Sequence, residues 1–415
     1  MKNILILGAG TAGTMMANKL YKALDCSVWQ ISIVDNSNIH YYQPGFLFIP
    51  FGTYTERDVV KPTEKFLPKS INYLHEEVEK IDPVSNQVFL KNQKSLDYDF
   101  LVIATGARLA PDETPGLLDK LWQKNIFEFY SLEGALKLHE QFKNWKGGKL
   151  VVSFVDMPFK CPIAPIEFLC LADSFFTKKG IRDKVEISYV TPLSGAFTKP
   201  IAGKMLGDLL VSKNINVVPD FYIERIDNEQ QKLISYDERE VEFDILTIVP
   251  LNKGADCIGA SGLGHDLNFI PVDKNTLQHK THKNIFAIGD AAAIPTSKAG
   301  SVAHFAADIL FENMMEILQG KEAKASFDGH ANCYIETGFG KATLIDFNYD
   351  TEPLPGMFPI PVIGPFSLLK TSRINHWGKL FFKWIYWNIL IMGRQLPVTT
   401  YMSMSGKRNI KSIKN

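Results

Sequence analysis

The sequence predicts an α/β protein made of two Rossmann-like dinucleotide-binding domains and a C-terminal segment that associates with membranes. Three observations carry this. An apolar run of strand length, Ile4–Leu7, ends in Gly8-Ala9-Gly10-Thr11-Ala12-Gly13 and feeds a helical pattern from Met15 to Leu20. A second strand-like run, Lys149–Val155, opens another β-α-β pattern. From Thr371 to the end there is no Asp or Glu, and Trp, Tyr and Phe alternate with Lys and Arg.

The first element is a G-x-G-x-x-G turn in the context it requires, between a strand and a helix. Gly8 makes the tight turn, Gly10 lets the backbone approach a pyrophosphate, and Gly13 lets helix and strand pack closely. The N–H groups and positive end of the helix face the phosphates. About 20 residues on, where the fingerprint expects an acid, the run Ile31–Val34 ends in Asp35, next to Asn36. A carboxylate there accepts both ribose hydroxyls. Two later runs of the same kind end in Ala104-Thr105-Gly106 and in Gly289-Asp290. Together with the fingerprint, these resemble the FAD-binding pattern of two-dinucleotide-domain flavoprotein reductases. The resemblance implies FAD rather than NAD at the first site. It implies that Asp290 holds a ribityl hydroxyl and that Pro44 and Gly45 lie near the flavin ring. The helix opened by Pro295–Gly300 and reaching about Leu318 places Lys298 near its N-terminus. From there it is expected to reach the flavin's carbonyl edge, the alternative being a solvated lysine; His304 is read as packing.

Composition narrows the class. The 415 residues carry 45 basic and 45 acidic side chains, so no global attraction to nucleic acid is expected. Cys26, Cys161, Cys170, Cys257 and Cys333 are an odd, scattered set, neither a secreted disulfide framework nor a C-x-x-C metal site. The N-terminal apolar run is too short for a signal peptide. No run approaches the roughly 20 residues of a membrane span. A cytoplasmic location is the default expectation.

The chain divides into an FAD domain over 1–110 and 283–325, a second Rossmann-like domain over 111–282, and a C-terminal unit over 326–415. Ile71 to Phe100 reads as an antiparallel meander, Leu132 to Trp145 as a helix. Strands are expected at Val185–Val190 and Asn216–Val218, with closing strands over Phe221–Tyr236 and Arg239–Val249. A pyridine-nucleotide reductase needs a second glycine fingerprint after Lys149–Val155. Here Pro158, Pro162 and Pro165 fill that turn instead. Proline removes N–H donors, and side chains occupy the space a pyrophosphate needs. Cys161 lies in this turn, just before a helix. The helix N-terminus and Lys160 are expected to lower the pKa of its thiol and favour thiolate. Glu167 follows as a proton-exchanging group. Cys26, Cys170 and Cys257 have no such setting. Cys333 is expected to precede a short strand and the Gly338-Phe339-Gly340 turn.

Cys161 in a C-P-x-x-P-x-E turn, and Cys333 well downstream of Gly289-Asp290, resemble the two redox cysteines of sulfide:quinone oxidoreductases and flavocytochrome c sulfide dehydrogenases. The resemblance covers nearly the whole chain. It implies that Cys161 and Cys333 form a disulfide beside FAD, with Glu167 as the associated acid. Sulfide is then the electron donor and a membrane quinone the acceptor, with Phe339, Phe358 and Phe366 as candidates for a quinone slot. Many relatives carry a further cysteine in the segment matching Asn125–Glu128, and this chain has none there.

The C-terminal helical stretch, ~16 residues or roughly 24 Å, is too short to span a bilayer. Its aromatic and basic residues suit an interfacial helix on an anionic membrane, giving a peripheral, monotopic protein on the cytoplasmic side. Domain packing or a homo-oligomer interface is the alternative for that helix. Three other functions compete with sulfide oxidation. A type 2 NADH:quinone dehydrogenase needs the missing second fingerprint. A cytochrome-reducing enzyme needs an export signal. A flavin redox sensor or sulfane-sulfur carrier would use the cysteines without quinone turnover.

Overall fold

The computed structural model describes residues 1–360, 364–396 and 398–408. Lys411 and Lys414 of the basic tail lie outside them. Six helices matter below: α1 (Thr11–Ala23), α2 (Leu132–Asn144), α3 (Ala164–Lys178), α4 (Pro200–Ser212), α5 (Gly300–Leu318) and α6 (Arg373–Ile385).

The first sheet runs Ile285–Ala287, Phe100–Ile103, Lys2–Leu7, Trp29–Asp35, Asn72–His75, all pairs parallel. Its central strands are apolar on consecutive residues because both faces are covered, and Ile4, Leu5, Ile6 and Leu7 are all buried. Asn72–His75 was expected in the meander. It instead pairs with the outer edge of Trp29–Asp35, which would otherwise leave backbone groups unpaired. The meander keeps Val78–Asp82, Gln87–Leu90 and Ser95–Asp97. Three neighbouring strands therefore end in the Gly8, Ala104 and Gly289 loops, at one edge of the sheet.

The second sheet, also parallel, runs Ile126–Phe127, Ile245–Val249, Gly148–Phe154, Val185–Val190, Asn216–Val218. The predicted closing strands divide differently. Ile223–Asp227, Lys232–Ser235 and Glu240–Glu242 form a separate antiparallel sheet. Ile245–Val249, buried at every residue, enters the centre of the parallel one, as a continuous apolar run should. Helix α3 packs on aromatic rings of α2 and of the segment before it: Phe168 stacks on Phe129 at 4.7 Å and lies tilted at 6.0 Å from Phe142 of α2, ring centre to ring centre. This cluster anchors the helix that follows Cys161.

A four-stranded sheet, Ala331–Gly338, Lys341–Phe347, Gly364–Leu368, Gly356–Ile360, carries the C-terminal part. Cys333 lies inside its first strand rather than before it, paired with Ile345. Helix α6 is amphipathic in an inverted sense. His376, Lys379 and Lys383 meet carboxylates in the rest of the protein, whereas Ile374, Trp377, Phe381 and Trp384 are 52–72 % exposed. No described helix is long and apolar enough to cross a membrane.

Candidate active site

The cradle at the first sheet's edge is built from backbone. A Cβ on Gly8 would sit 2.4 Å from the Ala104 carbonyl oxygen, and one on Gly13 would overlap the Gly8 carbonyl. Gly10 and Gly106 instead face open space. Helix α1 starts at Gly10 with no side-chain cap and no acid in its first turn, so its leading N–H groups are free to meet phosphate. Asp35 accepts the Ala9 N–H at 2.5 Å and the Ser37 N–H at 2.8 Å. Burial raises its pKa against these bonds. The Thr105 hydroxyl is buried without a partner. Gly289, at φ +67°, brings its loop against Ala12. An open cradle, uncapped N–H groups and an orphaned hydroxyl fit FAD. The solvated alternative for Lys298 does not hold. It precedes α5, and its buried ammonium donates to the carbonyls of Asp290 (2.6 Å) and Ala292 (3.1 Å) over the face of Phe269. Burial pulls its pKa down to about 8. It braces the Gly289-Asp290 loop.

Cys161 and Cys333 line one narrow pocket with Pro162, Ile163, Phe197 and Phe347. Cys161 takes the left-handed conformation, φ 49°, and its N–H donates to the Lys298 carbonyl at 2.6 Å. The turn is thereby fastened to the segment leading into α5. The expected low thiol pKa is not found. Burial pushes the Cys161 thiol well up, and Glu167 and Cys333 add to the shift. Lys160 points elsewhere, towards Gln43 Oε1 at 3.4 Å. The cation that opposes the shift is Lys379. Cys333 is raised less, to about 11, mainly by burial, with the Ser301 hydroxyl on α5 working against it.

Beneath the pair lies a buried ion network. Lys379 of α6 bonds to Glu167 Oε1, and to the Tyr334 carbonyl at 3.0 Å. Glu167 also accepts the Glu336 N–H at 2.7 Å. Glu336, wholly buried, takes both of its carboxylate contacts, each 2.9 Å, from His376 Nδ1. Burial raises the Glu167 pKa and Lys379 opposes it, while its two carboxylate neighbours hold Lys379 above the usual lysine value. Lys379, Glu336 and His376 were missed as site residues. The signal was present: residues 376, 379 and 383 share a helical face opposite Trp377, Phe381 and Trp384.

The three phenylalanines do not converge. Phe358 and Phe366 are cross-strand partners, and Phe366 packs on Tyr334 and against Gly378 of α6. Phe339 sits in the following turn at φ 54°, with the Lys213 ammonium 5.0 Å from its ring centre. After α6, Tyr386 reaches the cradle. Its hydroxyl lies 2.7 Å from both Thr11 Oγ1 and His40 Nε2. Burial lowers the His40 pKa to about 4, so this contact is neutral in ordinary buffers.

Residues 2–152 match the model for pyridine nucleotide-disulphide oxidoreductases. The chain is 29 % identical over 397 residues to the mitochondrial sulfide:quinone oxidoreductase of Dictyostelium discoideum, covering 94 % of this chain and 86 % of that one. The solved structure of the sulfide:quinone oxidoreductase of Aquifex aeolicus superposes with a TM-score of 0.79, at 21 % identity, over 95 % of this chain and 92 % of that one. The type II NADH:quinone oxidoreductase of Staphylococcus aureus is 31 % identical, but over 36 % of this chain and 37 % of its own. The fold is the mixed α/β FAD/NAD-binding oxidoreductase fold, and the cofactor is FAD. Over nearly its whole length, the chain is similar to the sulfide:quinone oxidoreductase family of flavoproteins.

Proposed function

We propose that this chain oxidises sulfide at Cys161 and Cys333 and passes the electron pair through FAD to a quinone. The observation that carries the reading is the shared pocket. Two cysteines far apart in sequence meet where proline has displaced the second nucleotide turn. Sulfide relatives matched over most of the chain support it.

The backbone of Gly8–Gly13, Ala104–Gly106 and Gly289-Asp290 would hold FAD, with Asp35 and Asn36 at the ribose end and Pro44 towards the ring. When bound, FAD supplies a two-electron carrier between thiol and quinone chemistry. The cysteine step balances by itself. Hydrosulfide attacks one sulfur of a Cys161–Cys333 disulfide, the S–S bond breaks, and the products are a persulfide and a thiolate. Cys333, with the Ser301 hydroxyl beside it, carries the smaller penalty as thiolate. Glu167 and Lys379 form a buried pair whose charges act on Cys161, and the Glu336 backbone N–H ties Glu167 to the strand whose Glu336 carboxylate meets the partly exposed His376. Reducing a quinone to a quinol takes up two protons, and Glu167, Glu336, His376 and Lys379 are the titratable groups that would supply them from the α6 side. The three sheets support the division into 1–110 with 283–325, 111–282 and 326–415.

The exposed Ile374, Trp377, Phe381 and Trp384 suit an interfacial helix that brings this end of the molecule to the lipid holding the quinone. Replacing Trp377, Phe381 and Trp384 together by serine should reduce binding to anionic vesicles by roughly tenfold or more. Unchanged co-sedimentation would assign the face to protein packing.

The activity itself is tested by steady-state quinone reduction with FAD-loaded protein. Sulfide should support turnover and NADH should not. Turnover with NADH alone would replace this reading with the NADH:quinone dehydrogenase one.

A further inference from the structure

Helix α6 does not stop at Ile385. It continues through one π-helical turn, Tyr386–Leu390, into the FAD domain. Trp387 is 5 % exposed, stacked on Phe66 at 5.2 Å, with the Lys61 ammonium 4.4 Å from its ring centre. The last carbonyls of a helical run have no partner within it. Here α1 supplies them. Asn18 Nδ2 donates to the Ile391 carbonyl at 2.9 Å, and Lys22 Nζ donates to the Met392 carbonyl at 2.6 Å. A Cβ on Gly393, at φ +61°, would lie 2.9 Å from that of Asn18, so the chain turns away directly against α1. The helix that exposes Trp377, Phe381 and Trp384 is thus seated, at its far end, on the helix whose N-terminus faces the phosphate cradle.

The contact reaches the glycine turn itself. The Ala9 carbonyl only accepts, so His40 Nδ1, 3.1 Å away, carries the ring proton. His40 Nε2 then accepts from the Tyr386 hydroxyl, and the Thr11 hydroxyl donates to Tyr386. Ala9 and Thr11 flank Gly10, where the turn faces open space. Tyr386, at 1 % exposure, therefore braces both ends of the turn from behind. Losing its hydroxyl would leave a buried ring nitrogen without a partner.

We propose that Tyr386 is a positioning residue that couples retention of FAD to the docking of α6 on an anionic lipid surface. The proposal rests on the interfacial reading of α6 given above. Lipid contact stabilises α6 only when the helix is formed and in place, and the same formed helix holds Tyr386 against Ala9 and Thr11. Both ligands favour one conformation, so each strengthens the binding of the other.

The test uses full-length, FAD-loaded protein diluted with and without vesicles of phosphatidylcholine and phosphatidylglycerol. The rise in fluorescence of released flavin gives the rate of FAD loss, and co-sedimentation gives vesicle binding. Vesicles should slow FAD loss from the wild type by about fivefold or more. Y386F should lose FAD about fivefold faster in solution, still bind vesicles, and show no slowing on them. T11V removes the same contact from the other side and should also lose the vesicle effect. The variant with Trp377, Phe381 and Trp384 all replaced by serine should lose FAD at the wild-type solution rate whether or not vesicles are present. Slowing by vesicles in Y386F and T11V equal to that in the wild type would overturn the role of Tyr386. Wild-type protein that co-sediments with vesicles yet loses FAD at an unchanged rate would overturn the coupling and leave the interfacial helix standing. Failure of the wild type to bind vesicles would overturn both.

Discussion

Cys333→Ser protein, loaded with FAD, should show no flavin bleaching by sulfide, and Cys161→Ser should behave the same way. The expected loss is roughly 10³-fold or more in the rate of sulfide-dependent reduction, the scale seen when one member of a covalent catalytic unit is removed. The two thiols share one pocket, and neither has another cysteine beside it among the described residues of that wall. Serine is close in size, and both positions lie outside the glycine cradle, so FAD content and flavin absorbance should be retained. Stopped-flow absorbance on the two variants reads this directly. Bleaching at the wild-type rate by either variant would remove that cysteine from the reaction.

Lys379→Met should have the next largest effect, on stability and turnover together. Lys379 is the cation between two carboxylates, Glu167 at 2 % and Glu336 at 0 % exposure. Removing one partner of a buried pair costs about 3–5 kcal/mol because the other charge is left behind. The pH dependence has a definite sign. Burial already raises the Glu167 pKa, and without Lys379 it rises further. The native variant then binds more protons than its unfolded chain over the range above the ordinary carboxylate value. Its stability is retained below that value and lost as pH rises through the folded pKa. Denaturant midpoints measured from pH 5 to 8 should fall with pH more steeply than for the wild type. Adding Glu167→Gln should recover much of the loss in stability. Quinone reduction should drop by about 10²–10⁴-fold if the network moves protons, and the double variant should not recover it. Recovery of turnover along with stability would make Lys379 a structural residue only.

Much of the frame was legible from local pattern. The strand–glycine–helix unit at Ile4–Leu20 and the strands ending at Gly106 and Asp290 are short-range signals, and the sheet brings their loops together because three parallel strands are neighbours. What the pattern missed is set by tertiary context. Asn72–His75 looks like a meander strand until the open edge beside it is known. Cys161 follows the rule for an activated thiol at a helix start, but that rule assumes an exposed or cation-flanked sulfur. Here burial dominates, and the charge of Glu167 adds to it. Lys298 sits near a helix start, and its burial between Phe269 and two carbonyls is a tertiary arrangement that local pattern does not show. The inward-facing charges of α6 were hidden by the basic, aromatic composition of the tail. Composition pointed to a surface, while spacing separated the buried face from the exposed one.

The central claim is that the cysteine pair replaced the second nucleotide as the route for electrons into the flavin. Anaerobic mixing of FAD-loaded protein with sulfide, and separately with NADH, tests it most directly. The account predicts rapid bleaching of the visible flavin band by sulfide, reversed on adding quinone, and no bleaching by NADH. Bleaching by NADH with none by sulfide would show that the proline-filled turn still admits a nucleotide, and would contradict it.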